Sequence, residues 1–241
     1  MTYPLLRFIL VSPELKLKKS TIKPIHTLRK GKQMNILIMV IVLLISVIFH
    51  EVAHGYVAYL FGDKTAKYAG RLTLNPIPHI DLLGSIILPA LFILSGSPIM
   101  IGWAKPVPVN SANFKNPLKD MMIVSLAGPL TNLSLAILAS IMFKAFLLIN
   151  TIIISPEFTY FLLTILKTTI ILNLVLAVFN LFPIPPLDGS KVLLYFLPYD
   201  LKVKLLRLEP YGFLLIFILA YFGFLGKILF FVINPLLNML L

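Results

Sequence analysis

The sequence predicts an all-α polytopic membrane protein. Its expected form is a bundle of about five to six transmembrane helices with a re-entrant or hairpin segment and short membrane-associated extended pieces. Three observations lead there. Hydrophobic residues make up 59% of the 241 positions and charged residues only 12%, at a mean hydropathy of +0.97, which no ordinary soluble domain matches. The apolar residues come in runs long enough to cross the roughly 30 Å of a bilayer core. Proline and glycine break some of those runs, which is tolerated at membrane depth where the backbone faces protein or a wet cavity. No stretch is left for a soluble catalytic or regulatory domain, so any chemistry belongs inside the bundle.

The elements follow in order. Residues 1–33 form a basic leader with eight of the 21 Lys and Arg. Its apolar piece at 4–11 is too short to span and is not a secretory signal. The character changes at Met34, and the native chain is expected to start there, with 34–241 as the functional domain. Residues 34–61 can cross the membrane with some tilt. A polar stretch follows at 62–81. Residues 82–101 are apolar but interrupted by Gly84, Pro89 and Ser95–Pro98, as in a broken or re-entrant piece. With Pro106, Pro108 and Pro117, the next segment cannot be a long helix, and PVPVN at 106–110 reads as edge strand or loop. Residues 121–149 and 158–182 are spanning helices. NLFPIPPLDG at 180–189 is broken by proline, a basic amphipathic stretch surrounds 199–209, and 211–241 is apolar with breaks at Gly223, Gly226 and Pro235.

The formal charge of +12 and the absence of cysteine bound the chemistry. Basic loops beside anionic lipid head groups account for the charge without nucleic acid. Thiolate ligands and cysteine nucleophiles are excluded.

The first apolar run carries His50, Glu51 and His54 as HEVAH. Two histidines four apart share one helix face, can hold one Zn²⁺, and leave Glu51 beside them to act on water. The bland reading is a self-satisfied polar pair, but three ionisable groups in one turn of a membrane helix are costly to keep. A catalytic zinc takes three protein ligands. Asp188, in PPLDG, supplies the third, although by itself it would read as a turn residue. His79, in NPIPHID, fits a loop or supporting role better than ligation, and His26 lies in the leader.

HEVAH, followed by NLFPIPPLDG with SLAGPLTN (125–132) between them, resembles the site-2 protease family of intramembrane zinc metalloproteases. GRLTLNPIPHIDLLGSIILP and GWAKPVPVN are similar to its compact bacterial and archaeal branch, without PDZ or CBS domains. The likeness covers about residues 40–195. It implies one zinc per chain on His50, His54 and Asp188, with Glu51 as catalytic base. It also favours Asn180 as a donor to the oxyanion or the substrate backbone, with helix capping as the alternative. Asn132 is a weaker candidate of the same kind, while Gly128 allows close helix approach and Pro129 bends its helix. The implied reaction is hydrolysis of a peptide bond within the membrane. Substrates are expected to be single-span proteins or signal-peptide remnants with helix-weakening residues, because a helical substrate hides its carbonyls. A transporter, or an inactive scaffold with a metal site, is the alternative.

The ligands also constrain topology. His54 is close to the C-terminal end of its helix and Asp188 lies just beyond 158–182, so the two helices must run parallel. With 121–149 crossing between them, 82–101 should be re-entrant. Loops 62–81, 102–120 and 183–210 then share a face and ten Lys and Arg, against none in 150–157. The positive-inside rule makes that face cytoplasmic in a multi-pass protein of the cell membrane. The leader's charges would lie on the opposite face, which is the reason for a start at Met34. The sequence does not specify oligomeric state.

Overall fold

The computed structural model describes residues 25–87, 104–149 and 155–241, together with Leu91 and Leu94. Helix α1 runs Ile25–Leu60 and is continuous through the leader boundary. It is followed by a short helix α2, Thr65–Tyr68, a 3-10 turn at Ile77–His79 and a π-helical stretch at Leu82–Ile87. Extended backbone then leads to a 3-10 turn at Ser111–Asn113. Helix α3 covers Pro117–Ile149 and continues through Pro129, and α4 covers Pro156–Asn180, started by Ser155, whose side chain accepts from the Phe158 N–H. The remainder is α5 (Asp188–Phe196), α6 (Tyr199–Arg207), α7 (Gly212–Tyr221) and α8 (Phe224–Leu240).

Three of these helices are long and apolar enough to cross a membrane: Met34–Leu60 within α1, Pro117–Leu148 within α3, and α4. The sequence predicts five to six spans, whereas the described residues hold three, or up to four if Tyr199–Tyr221 and Phe224–Leu240 act as one span bent by 78°. Gly223, at φ 74°, makes that bend, because a left-handed residue cannot continue a helix. Of the predicted re-entrant segment, 82–101, residues 88–101 other than Leu91 and Leu94 fall outside the described residues, as do residues 1–24 of the leader.

Side-chain contacts give the helix directions. Ile38 and Val42 of α1 pack with Ile165 and Leu172 of α4, and Ser46 meets Asn173. Residue numbers rise together, so α1 and α4 are parallel. Against α3 they run in opposite senses: His54 meets Val124 and His50 meets Asn132. The arrangement is the one the metal ligands require of the sequence. The largest apolar cluster joins Ala136 and Ala139 of α3, Leu166, Ile170 and Leu174 of α4, and Leu225, Leu229 and Ile233 of α8. At the end of α8 the orphan carbonyls of the last turn are taken by α3, with Ser140 Oγ donating to Leu240 O and Lys144 Nζ to Met239 O at 2.9 Å.

PVPVN is extended but pairs with no strand among the described residues. Pro106 and Pro108 have no N–H, so a regular ladder cannot form along them. The segment is held from the side instead. Arg71 donates from Nη2 to the carbonyls of Lys105 and Pro106, and the Lys105 N–H donates to His79 O at 2.9 Å. Fully buried Asp63 accepts from the N–H of Asn110 at 2.7 Å and from Nδ2 of Asn113 at 2.7 Å. Burial opposes the charge on Asp63, yet its bonds to Thr65, Asn110 and Asn113 hold the carboxyl below its ordinary pKa. His79 has the loop role favoured by the sequence. Its Nε2 bonds Thr73 O at 2.9 Å.

Candidate metal centre

The centre forms where α1, α3 and the start of α5 meet. His50 and His54 are 6% and 8% exposed, and Asp188 is 7% exposed. Their donor atoms converge. His50 Nε2 and His54 Nε2 are 3.0 Å apart, and Asp188 Oδ2 lies 3.2 Å from the first and 3.1 Å from the second.

The hydrogen bonds around the group decide what it can hold. His54 Nδ1 is 2.7 Å from Val124 O, an atom that only accepts, so Nδ1 carries the proton. His50 Nδ1 is 2.6 Å from Asn132 Oδ1 and carries its proton likewise. In its neutral form each ring then turns an Nε2 lone pair toward the carboxylate oxygen. Three such acceptors facing one point call for a proton or a metal cation between them. Three ligands each about 2.0–2.2 Å from a tetrahedral zinc stand roughly 3.3 Å apart, so the observed triangle needs an adjustment of only a few tenths of an ångström. Two imidazoles and a carboxylate, with a fourth position for water, are a catalytic zinc set.

Space for the ion depends on Gly128. A Cβ there would stand 2.4 Å from His54 Nε2 and 2.6 Å from His50 Nε2, in the space that an ion must share with those atoms. Gly189 has a different task. A Cβ on it would meet Leu181 O at 2.1 Å and Phe182 O at 2.6 Å, so only glycine lets 181–189 fold back and present Asp188. The other oxygen of Asp188, Oδ1, has Lys191 Nζ at 3.7 Å, one turn along α5.

Glu51 is half-buried next to His50, and its Oε2 accepts from the Val107 N–H at 2.7 Å. The extended segment thus holds the carboxylate. Asn180 is at the C-terminal end of α4, where Nδ2 donates to Leu176 O at 2.9 Å. It has no hydrogen bond to His50, His54 or Asp188 among the described residues. Asn132, a candidate substrate donor by sequence, is wholly buried and bonded to His50 instead. Sequence reasoning missed the Val107 and Lys191 contacts, for which neither residue carries a signal. Asn132 did carry one: Ser125, Gly128 and Asn132 are spaced three and four apart on the same face of a largely apolar helix.

A family model described as Peptidase family M50 matches residues 147–220, including Asp188. "Putative zinc metalloprotease YwhC" of Bacillus subtilis (strain 168) is 42% identical over 202 residues, which cover 83% of this chain and 85% of that protein. The chain belongs to peptidase family M50. A second relative, "Putative zinc metalloprotease Rip2" of Mycolicibacterium smegmatis, is 32% identical over 199 residues, covering 80% of this chain and 70% of its own length. "Putative zinc metalloprotease MJ0611" of Methanocaldococcus jannaschii is 33% identical over 149 residues, or 61% of this chain and 63% of its own length. No solved structure matches the chain. Membership in M50, the site-2 protease family, together with a His–His–Asp donor set, makes this protein a membrane-embedded zinc metalloendopeptidase.

Proposed function

We propose that this M50 peptidase cuts a peptide bond in or near a transmembrane segment of single-span proteins or signal-peptide remnants, using His50, His54 and Asp188 as zinc ligands and Glu51 as base. The convergence of three buried acceptors beside Glu51 carries the reading. His54 is six residues from the end of α1, or roughly 9 Å along the axis, so both the water and the scissile bond meet below the membrane surface.

When bound, zinc acidifies water and polarises a carbonyl. The rest is done by side chains. Glu51 Oε2 is occupied by the Val107 N–H, so proton traffic falls to Oε1. It takes a proton from the attacking water and passes it to the leaving amine nitrogen. Asn180, with a second amide hydrogen beyond its bond to Leu176, is the proposed donor to the oxyanion or to the substrate backbone. The substrate must be locally unwound. Val109 has no backbone hydrogen bond among the described residues, which supports the 106–110 segment as an edge for the unwound chain.

The transporter and scaffold alternatives have no use for a carboxylate held beside the two histidines. The direct test is elemental analysis of protein purified in detergent. Wild type should carry about one zinc per chain, and His54→Ala and Asp188→Ala should each lose it, as expected for a three-ligand site. Zinc kept by Asp188→Ala would displace this residue from the ligand set.

The active site is proposed to face the cytoplasm of a multi-pass cell-membrane protein, following the ten basic residues of its loops. The chain has no cysteine, so single cysteines at Lys115 and at Ser155 report sidedness directly. An impermeant thiol reagent added to intact cells should label the Ser155 variant and spare the Lys115 variant; the reverse pattern would invert the topology. N-terminal mass spectrometry of the endogenous protein tests the start at Met34.

A further inference from the structure

Zinc ligation leaves one buried polar cluster unexplained. Asn132 and Asn173 are fully buried and Ser46 is 2% exposed. They come from α3, α4 and α1, at a depth where an unpaired amide costs several kcal/mol.

The hydrogen bonds have a direction. Asn173 Nδ2 lies 2.9 Å from Thr169 O, which can only accept, so the orientation of this amide is determined. Its Nδ2 also donates to Ser46 Oγ at 2.9 Å, and its Oδ1 faces Asn132 Nδ2 at 2.8 Å. Asn132 Nδ2 has a second acceptor in Ser46 O at 3.3 Å. With both acceptors on that side, Oδ1 of Asn132 must face His50 Nδ1. The chain of bonds thus runs from a backbone carbonyl of α4 to the ring of a metal ligand on α1.

We propose that Asn132 is a positioning residue for the zinc centre, and that Asn173 and Ser46 act through it. Asn132 imposes on His50 the tautomer whose Nε2 lone pair faces His54 and Asp188, and it prevents rotation of the ring. Its amide has no donor left for a substrate. The two histidines are therefore oriented by different means. His54 is oriented by a backbone carbonyl, which no side-chain substitution removes. His50 is oriented by a side chain. Partners of this kind typically change metal affinity by about 10–100-fold when lost.

The inference rests on the proposed zinc site, and the experiment separates the two. Full-length protein in detergent is titrated with zinc against a competing chelator, and thermal unfolding of the metal-free protein is recorded in parallel. Asn132→Leu, similar in size but without an acceptor, should bind zinc about 10–100-fold more weakly than wild type. Asn132→Asp should stay within about tenfold of wild type, because a carboxyl oxygen at the same place retains the acceptor for the His50 Nδ1–H. Weak binding by the first variant with rescue by the second supports the positioning role. Wild-type affinity in Asn132→Leu overturns it, and so does an equal loss in both variants, which would make the site sensitive to packing and not to the acceptor. Where Asn132→Leu does not fold, Asn132→Ala replaces it under the same criteria. Absence of zinc binding by wild type is a different result and refutes the underlying metal site.

Discussion

Gly128→Ala protein should fold and insert but retain little zinc. The added methyl carbon would stand 2.4 Å and 2.6 Å from the two Nε2 atoms, well inside van der Waals contact and comparable to a zinc–nitrogen bond of ~2.0–2.1 Å. The methyl group and the ion therefore compete for one volume. Relief by moving α3 away is opposed by its bonds to α1, from Val124 O to His54 and from Asn132 to His50, and by close packing along the helix. Bound zinc should fall at least about tenfold, and cleavage with it, and the thermal transition of metal-free protein should also drop somewhat, because the methyl overlaps the imidazoles themselves and overpacking costs about 1–3 kcal/mol against roughly 1 kcal/mol that alanine gains over glycine in a helix. Full zinc occupancy in this variant would mean that the ion does not lie between α1 and α3.

Glu51→Gln should have the opposite signature. Glutamine keeps an oxygen to accept the Val107 N–H now bonded to Glu51 Oε2 at 2.7 Å, so the extended segment should stay in place. It contributes nothing to the three converging donors, so zinc content should match wild type. It cannot take a proton from water, so turnover of a single-span substrate in vesicles should fall by about 10²–10⁴. Unchanged turnover would remove Glu51 from the chemistry. Loss of zinc would instead give Glu51 a direct part in holding the metal. Together the two variants separate metal binding from proton transfer, one losing the ion and the other only the reaction.

Much of the site is legible in the sequence because membrane insertion makes ionisable residues conspicuous. His50, Glu51 and His54 stand out in the apolar run of α1, and helical periodicity alone brings the two imidazoles to one face. Asp188 was paired with them through the three-ligand requirement of a catalytic zinc and through the family resemblance of NLFPIPPLDG, and that pairing also forced α1 and α4 to be parallel. The span count was less legible. Residues 211–241 are apolar throughout, but the turn at Gly223 divides them into pieces of 10 and 17 residues, and hydropathy does not register direction. PVPVN read equally as strand or loop, because two prolines allow extended backbone while forbidding a full ladder.

The sequence by itself determined the class of protein, the metal-binding residue types and the relative direction of the helices that carry them. These follow from apolar length, from residue spacing on a helix and from ligand number, all of which are local or nearly so. Tertiary structure alone decided which atoms face each other across helices. Asn132 meets His50 at a separation of 82 residues, Val107 reaches Glu51 across 56, and Gly128 leaves room between two imidazoles on another helix. Such contacts depend on the rotation and spacing of packed helices. No periodicity within a single segment records either quantity, because both are set by how neighbouring side chains fill the space between helices.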